Sequence, residues 1–143
     1  MIDSLMRIVD PLKRKISNLI GRGIIKILND DSELQKFQLA LFAGEVKNYV
    51  ERLSEYGFTS RPLDGAEAVV IFPSASRDHG LIIATDDRRY RLRGLSPGEV
   101  AIYTDEGDKI ILRRGGEIEV SGKSKVLINS PIVQLGSGSL EKI

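Results

Sequence analysis

Apolar residues three or four apart mark the first twenty positions, and apolar residues two apart mark most of the rest. Leu5, Ile8, Val9, Leu12, Ile16, Leu19 and Ile20 fall on one helical stripe. The expected N-terminal segment is helical over 1–22, with Asp10 and Pro11 opening a second piece and Gly21 stopping it. From Gly23 the pattern favours strands at Ile24–Leu28, Leu34–Phe42, Glu45–Leu53, Ala66–Phe72, Gly80–Thr85 and Arg88–Leu95. Turn residues separate them: Asn29-Asp30-Asp31-Ser32, Ala43-Gly44, a polar stretch over 54–65, and Pro73-Ser74-Ala75-Ser76. Five or six short strands within 23–95 fit a small closed barrel. An OB-type barrel leads, and an SH3-like barrel shares the pattern.

The last third is thinner. Apolar pairs recur at Val100 and Ile102, Ile110 and Leu112, Ile118 and Val120, Val126 and Ile128, and Val133 and Leu135. Glu106-Gly107-Asp108, Gly115-Gly116, Ser121-Gly122-Lys123-Ser124 and Asn129-Ser130-Pro131 stand between them. Two apolar side chains per strand bury too little to offset the ordering of so much backbone within one chain. Sister chains contributing identical strands to a common core remove that deficit. Residues 96–136 are therefore expected to be an intertwined β-structure in a homo-oligomer, with those ten aliphatic residues as its core and 137–143 as a C-terminal tail.

Composition narrows the chemistry. Charged residues are 29% and hydrophobic ones 41%, which is globular rather than disordered. A net charge of +1 offers no electrostatic case for a nucleic-acid or membrane partner. With no cysteine, disulfides and thiolate metal sites are excluded. The first residues do not read as a secretory signal, since Asp3 and Asp10 interrupt them. No run approaches the roughly 18 apolar residues of a membrane-spanning helix. Lys13-Arg14-Lys15 makes part of the helix basic, a weak membrane-surface signal beside the plainer reading of a helix docked on its barrel or on a partner chain.

No catalytic constellation stands out. The single histidine, His79, follows Asp78, but neighbours on an extended chain point in opposite directions, so a turn histidine is the better reading. Asp105-Glu106-Gly107-Asp108 lacks the ligand spacing of a calcium loop. Gly21-Arg22-Gly23 lacks the third glycine of a dinucleotide fingerprint, and Ser74 and Ser76 lack a nucleophile elbow. No metal or cofactor is expected. Arg88-Arg89-Tyr90-Arg91-Leu92-Arg93 is the strongest charged cluster. As a strand it presents Arg89, Arg91 and Arg93 on one face, which fits either a single-stranded nucleic-acid groove with Tyr90 stacking a base, or a basic face meeting acids such as Glu99 or Asp105 of a neighbouring chain. Near-zero net charge favours the second, so no nucleic acid is expected.

A longer run of words is more specific. Gly44-Glu45-Val46-Lys47, Tyr56-Gly57-Phe58-Thr59-Ser60-Arg61-Pro62, Gly65-Ala66-Glu67 and His79-Gly80 occur in that order. Asp87-Arg88-Arg89-Tyr90-Arg91-Leu92, Gly94-Leu95 and Gly98-Glu99-Val100-Ala101 follow. Over roughly residues 20–120 the chain resembles the baseplate spike proteins of Mu-like contractile-tailed phages, also called the baseplate assembly protein V or tail-puncturing family. The resemblance implies an all-β homotrimer with a short N-terminal helix, an OB-fold barrel and an intertwined triple-stranded β-helix. It implies a virion structural protein rather than an enzyme, capping the tail tube and driven through the host outer membrane when the sheath contracts. A hub or tail-tube protein would meet its N-terminal end. Family spikes often finish with a His-x-His motif holding one iron among three chains. This chain ends Gly136-Ser137-Gly138-Ser139-Leu140-Glu141-Lys142-Ile143 without that motif. Either it stops before the apex or its tip is metal-free; no iron is expected in this molecule.

Overall fold

The computed structural model describes residues 2–31, 33–41, 44–73, 76–134 and 136. Met1, Ser32, Phe42, Ala43, Ser74, Ala75, Leu135 and residues 137–143 lie outside the described residues, so the Ala43-Gly44 turn, the outer end of the second expected strand and the C-terminal tail are not assessed. The chain divides into two compact units, 1–91 and 92–143.

In the first unit a single helix, α1 (Ile2–Ser17), is followed by five strands: β1 (Ile20–Asn29), β2 (Gln35–Leu41), β3 (Val46–Arg52), β4 (Glu67–Ile71) and β5 (Leu81–Asp86). The helix runs unbroken through Pro11 rather than in two pieces. It also ends earlier than its stripe suggests. Ile20–Ile24 pair antiparallel with Glu67–Ile71 instead, and Gly21 and Gly23, poor helix formers, become strand residues.

The strands close into a barrel in the order β1-β2-β3-β5-β4. All neighbours are antiparallel except β3 and β5, whose Glu51–Leu81 and Arg52–Ile82 pairs are parallel and complete the closure. Alternation explains most of the interior. Phe37, Leu39 and Leu41 point inward from β2, and Ala66, Ala68, Val70 and Phe72 do so along β4 and its flanks. Ile25, Leu28, Val50 and Ile82 complete the core. Ile25 and Leu28 are three apart, which a period of two forbids. A bulge between Ile25 and Ile27 shifts the phase, so Leu28 turns inward and Ile27 outward. Gly23 is required by close approach. A Cβ there would lie 2.7 Å from the Ala40 carbonyl oxygen and 3.0 Å from Leu41 Cδ2.

The expected strand Arg88–Leu95 is not formed. Asp87 redirects the chain: its Oδ1 accepts the Arg89 backbone N–H at 3.1 Å, and the Tyr90 N–H donates to the Asp87 carbonyl at 3.1 Å. A turn takes the place of the ladder.

The second unit contains three short strands, β6 (Val100–Tyr103), β7 (Lys109–Leu112) and β8 (Ile118–Ser121), in an antiparallel meander. Its turns are the glycine-bearing ones. Thr104 N–H donates to the Asp108 carbonyl at 2.9 Å with Gly107 at φ 101°. Arg113 N–H donates to the Glu117 carbonyl at 2.9 Å, with Gly115 and Gly116 both at positive φ.

Candidate functional site

Register decides what the second sheet can do. Val100 pairs with Leu112, which pairs with Ile118; Ile102 pairs with Ile110, which pairs with Val120. Because alternate residues share a face, these two cross-strand rows form one surface of six aliphatic side chains. All six are between 43% and 64% exposed. Soluble chains do not ordinarily present six adjacent β-branched and leucyl side chains to water. Among the other expected core residues, Val126, Ile128 and Val133 lie in irregular, exposed chain after β8 rather than in strands. Leu135 lies outside the described residues.

The opposite face is chemically different. Ala101, Ile111 and Glu119 form one row, and Tyr103, Lys109 and Ser121 the other. Glu119 is the hub of this face: it accepts from Ser121 Oγ at 2.8 Å and Arg113 Nε at 2.9 Å, closes an ion pair with Arg113 Nη2, and lies 3.3 Å from Lys109 Nζ. Hydrogen bonds from Ser121, Arg113 and Lys109, in that order, lower its carboxyl from 4.5 to about 2. Glu99 braces the start of β6. It accepts from the Ser96 backbone N–H at 2.9 Å and the Arg114 N–H at 3.4 Å, which hold its carboxyl below the ordinary range. Sequence reading did not join Glu119 to Ser121, Lys109 and Arg113. The diagonal contacts depend on a register that one strand does not specify.

The arginine cluster does not make a continuous basic face. Arg88 pairs with Glu67 at 2.8 Å, and Arg89 pairs with Asp87 at 2.6 Å while donating to the Asp64 carbonyl at 3.0 Å. The Arg89 guanidinium also lies over the Tyr90 ring, 5.3 Å from its centre. Two of the four arginines are thus engaged locally, and the alternation a nucleic-acid groove would need is lost with the strand. His79 lies exposed in the turn before β5. Asp105–Asp108 forms the β6–β7 turn, and the Asp108 carboxylate accepts the Lys123 N–H at 2.7 Å. No group of three or more His, Cys, Asp or Glu side chains is gathered for a metal ion among the described residues. The most specific run in the sequence, Tyr56–Pro62, is a loop anchored by Arg52, which donates to the Ser60 carbonyl at 2.9 Å and to Ser60 Oγ at 3.0 Å.

Comparison with known proteins gives these features a context. Residues 22–89 match the family described as Bacteriophage Mu Gp45, N-terminal. A protein of Escherichia phage Mu described as baseplate puncturing device gp45 is 37% identical over 121 residues, covering 85% of this chain and 61% of the relative. A protein of Haemophilus influenzae described as Mu-like prophage FluMu protein gp45 is 35% identical over 122 residues, covering 85% of this chain and 66% of the relative. The chain therefore spans less than two thirds of the length of either relative.

Proposed function

We propose that this chain, whose residues 22–89 match the bacteriophage Mu Gp45 family, is the trimeric central spike of a contractile phage-tail baseplate. The observation that carries this reading is the six-residue aliphatic face of β6–β8, uncovered within one chain. In the proposed trimer three such faces meet around an axis over β6–β8. Those strands pair within each chain rather than intertwining as the sequence led one to expect, and the chain from 122 to 136 continues as the intertwined triple-stranded β-helix. Val100, Ile102, Ile110, Leu112, Ile118, Val120, Val126, Ile128, Val133 and Leu135 form the shared core. The upstream barrel is of OB type, a reading supported by its five strands and Greek-key order.

The role is mechanical. The description of the phage Mu relative as a baseplate puncturing device supports a place in the virion tail baseplate and a puncturing action. A spike of this kind caps the tail tube, binds hub or tube proteins at its N-terminal end and is driven through the host outer membrane when the sheath contracts. It has no catalytic step. Each chain contributes stiffness through shared apolar packing and through the Arg113–Glu119–Lys109 network left on the water-facing side. Multi-angle light scattering at micromolar concentration tests the assembly: three times the chain mass is expected, and a stable monomer refutes the reading.

A further inference from the structure

We infer that α1 is a parallel coiled-coil seam joining copies of this chain, an inference that rests on the trimeric-spike reading. Within α1, Ile2, Leu5, Val9, Leu12 and Ile16 are alternately three and four residues apart without interruption. That is the a/d repeat of a coiled coil. Its chemistry is sorted as well as its spacing. The a positions are Ile2, Val9 and Ile16, all β-branched, and the d positions are Leu5 and Leu12, both leucine. Parallel coils select that division because a and d side chains enter the facing helix at different angles.

Among the residues of the helix whose burial is described, most of the apolar ones are open to solvent. Ile8 is 73% exposed, Leu12 58% and Ile16 61%. A helix of sixteen residues is marginal in water unless its apolar face is packed. Pro11 falls at c, away from the seam, so its missing N–H weakens the helix without intruding between helices.

Charge placement favours further copies of the same chain as the occupant. Lys13 and Lys15 lie at e and g. In a parallel register each g residue faces the e residue five positions on in the neighbouring copy, so Ile8 meets Lys13, while the position five beyond Lys15 already lies in β1, past the end of the helix. No like-charged e/g pair results, although three consecutive cations occupy 13–15. Arg7 and Arg14 are at f, on the outside. A rotational axis through a trimer makes its helices parallel, as this register requires. β-Branched a and leucine d residues by themselves suit two strands, and apolar Met6 at e and Ile8 at g broaden the seam for a third.

The absence of cysteine makes the test clean. Single Leu12→Cys and Arg14→Cys variants of the full chain are oxidised and resolved on non-reducing gels. Leu12→Cys is expected to form covalent dimers at least about tenfold faster than Arg14→Cys, because only seam positions bring Cα atoms within disulfide reach. Val9→Cys should behave as Leu12→Cys does, and Arg7→Cys as Arg14→Cys. Trimeric mass with equal cross-linking at all four positions, or with none at 9 and 12, overturns the coiled coil and leaves the spike reading intact. Monomeric mass overturns both.

Discussion

Replacing Ile110 with aspartate tests the proposed assembly at its most demanding point. Ile110 is central, flanked by Ile102 on β6 and Val120 on β8. Summed over the six aliphatic side chains, the exposed fractions amount to about three fully exposed residues. Covering them stabilises the trimer by roughly 5–10 kcal/mol per chain, at 1.5–3 kcal/mol for each side chain buried. Ile110 itself is 43% exposed, so its share is about 1 kcal/mol per chain. Aspartate forfeits that share and adds a carboxylate without a partner, costing several kcal/mol per chain. Three copies around one axis bring the penalty to on the order of 10 kcal/mol per trimer. Against a gross gain of roughly 15–30 kcal/mol per trimer, that removes about a third to two thirds before the cost of association is counted. Light scattering at micromolar concentration should therefore show Ile110→Asp as a monomer, with its heat resistance lost. Ile110→Val should remain trimeric, and so should Thr104→Asp, which puts the same charge in the exposed β6–β7 turn. An Ile110→Asp protein with trimeric mass and an unchanged melting temperature would refute the assignment of this face to a shared core.

Three further outcomes are expected. Because the folded carboxyl of Glu119 is lowered from 4.5 to about 2, its contribution is fully present above pH 4.5 and lost as pH falls through about 2. Melting followed by circular dichroism should show Glu119→Gln less stable than the native chain at pH 7, with the gap closing below pH 4.5; a gap that is constant with pH contradicts the network. Gly23→Ala forces a Cβ to 2.7 Å from the Ala40 carbonyl oxygen and should cost about 1–3 kcal/mol in denaturant unfolding. An unchanged midpoint would show that the β1–β2 approach yields easily. Single-stranded DNA should not bind tightly even at low salt, since Arg88 and Arg89 are already paired with Glu67 and Asp87. Tight binding lost on Arg91→Ala would favour a nucleic-acid role instead.

How much of this was legible in the sequence depended on whether an element's partners lay nearby. The strands that carry Phe37, Leu39 and Leu41, and Ala68, Val70 and Phe72, were legible, because alternation is a property of a single strand, and the structure buries both rows. The shift that buries Leu28 instead of Ile27 was not legible, since a bulge is defined only against the partner strand. Arg88–Leu95 alternates as a strand should, yet the Asp87 carboxylate captures the next turn's N–H before any ladder forms. Ile20 prolonged the helical stripe and was claimed by β4 instead. In the second sheet the apolar pairs through Val120 were legible as strands, and their common face followed from period two. Val126 and Ile128 show the same spacing without a strand. Spacing signals an apolar row but not what pairs with it.

The two sheets handle their edges differently, and the contrast bears on assembly. The barrel removes its edges through the parallel β3–β5 contact, and its interior is filled by its own side chains. The meander leaves β6 and β8 as edges, with one face aliphatic and the other carrying Glu119, Lys109 and Ser121 around the buried Ile111. A sheet apolar on both faces could associate in either orientation and slip in register. Here a flipped sheet would bury Glu119, Lys109 and Arg113 and expose the aliphatic rows, and a one-residue slip of any strand would mix the two faces. The Glu119 network thus contributes beyond the hairpin it clamps: it makes every orientation but one costly. In the proposed trimer that selectivity lies in each chain's own register, which the local turns at Asp105–Asp108 and Arg113–Glu117 set while the shared core supplies the burial that one chain lacks.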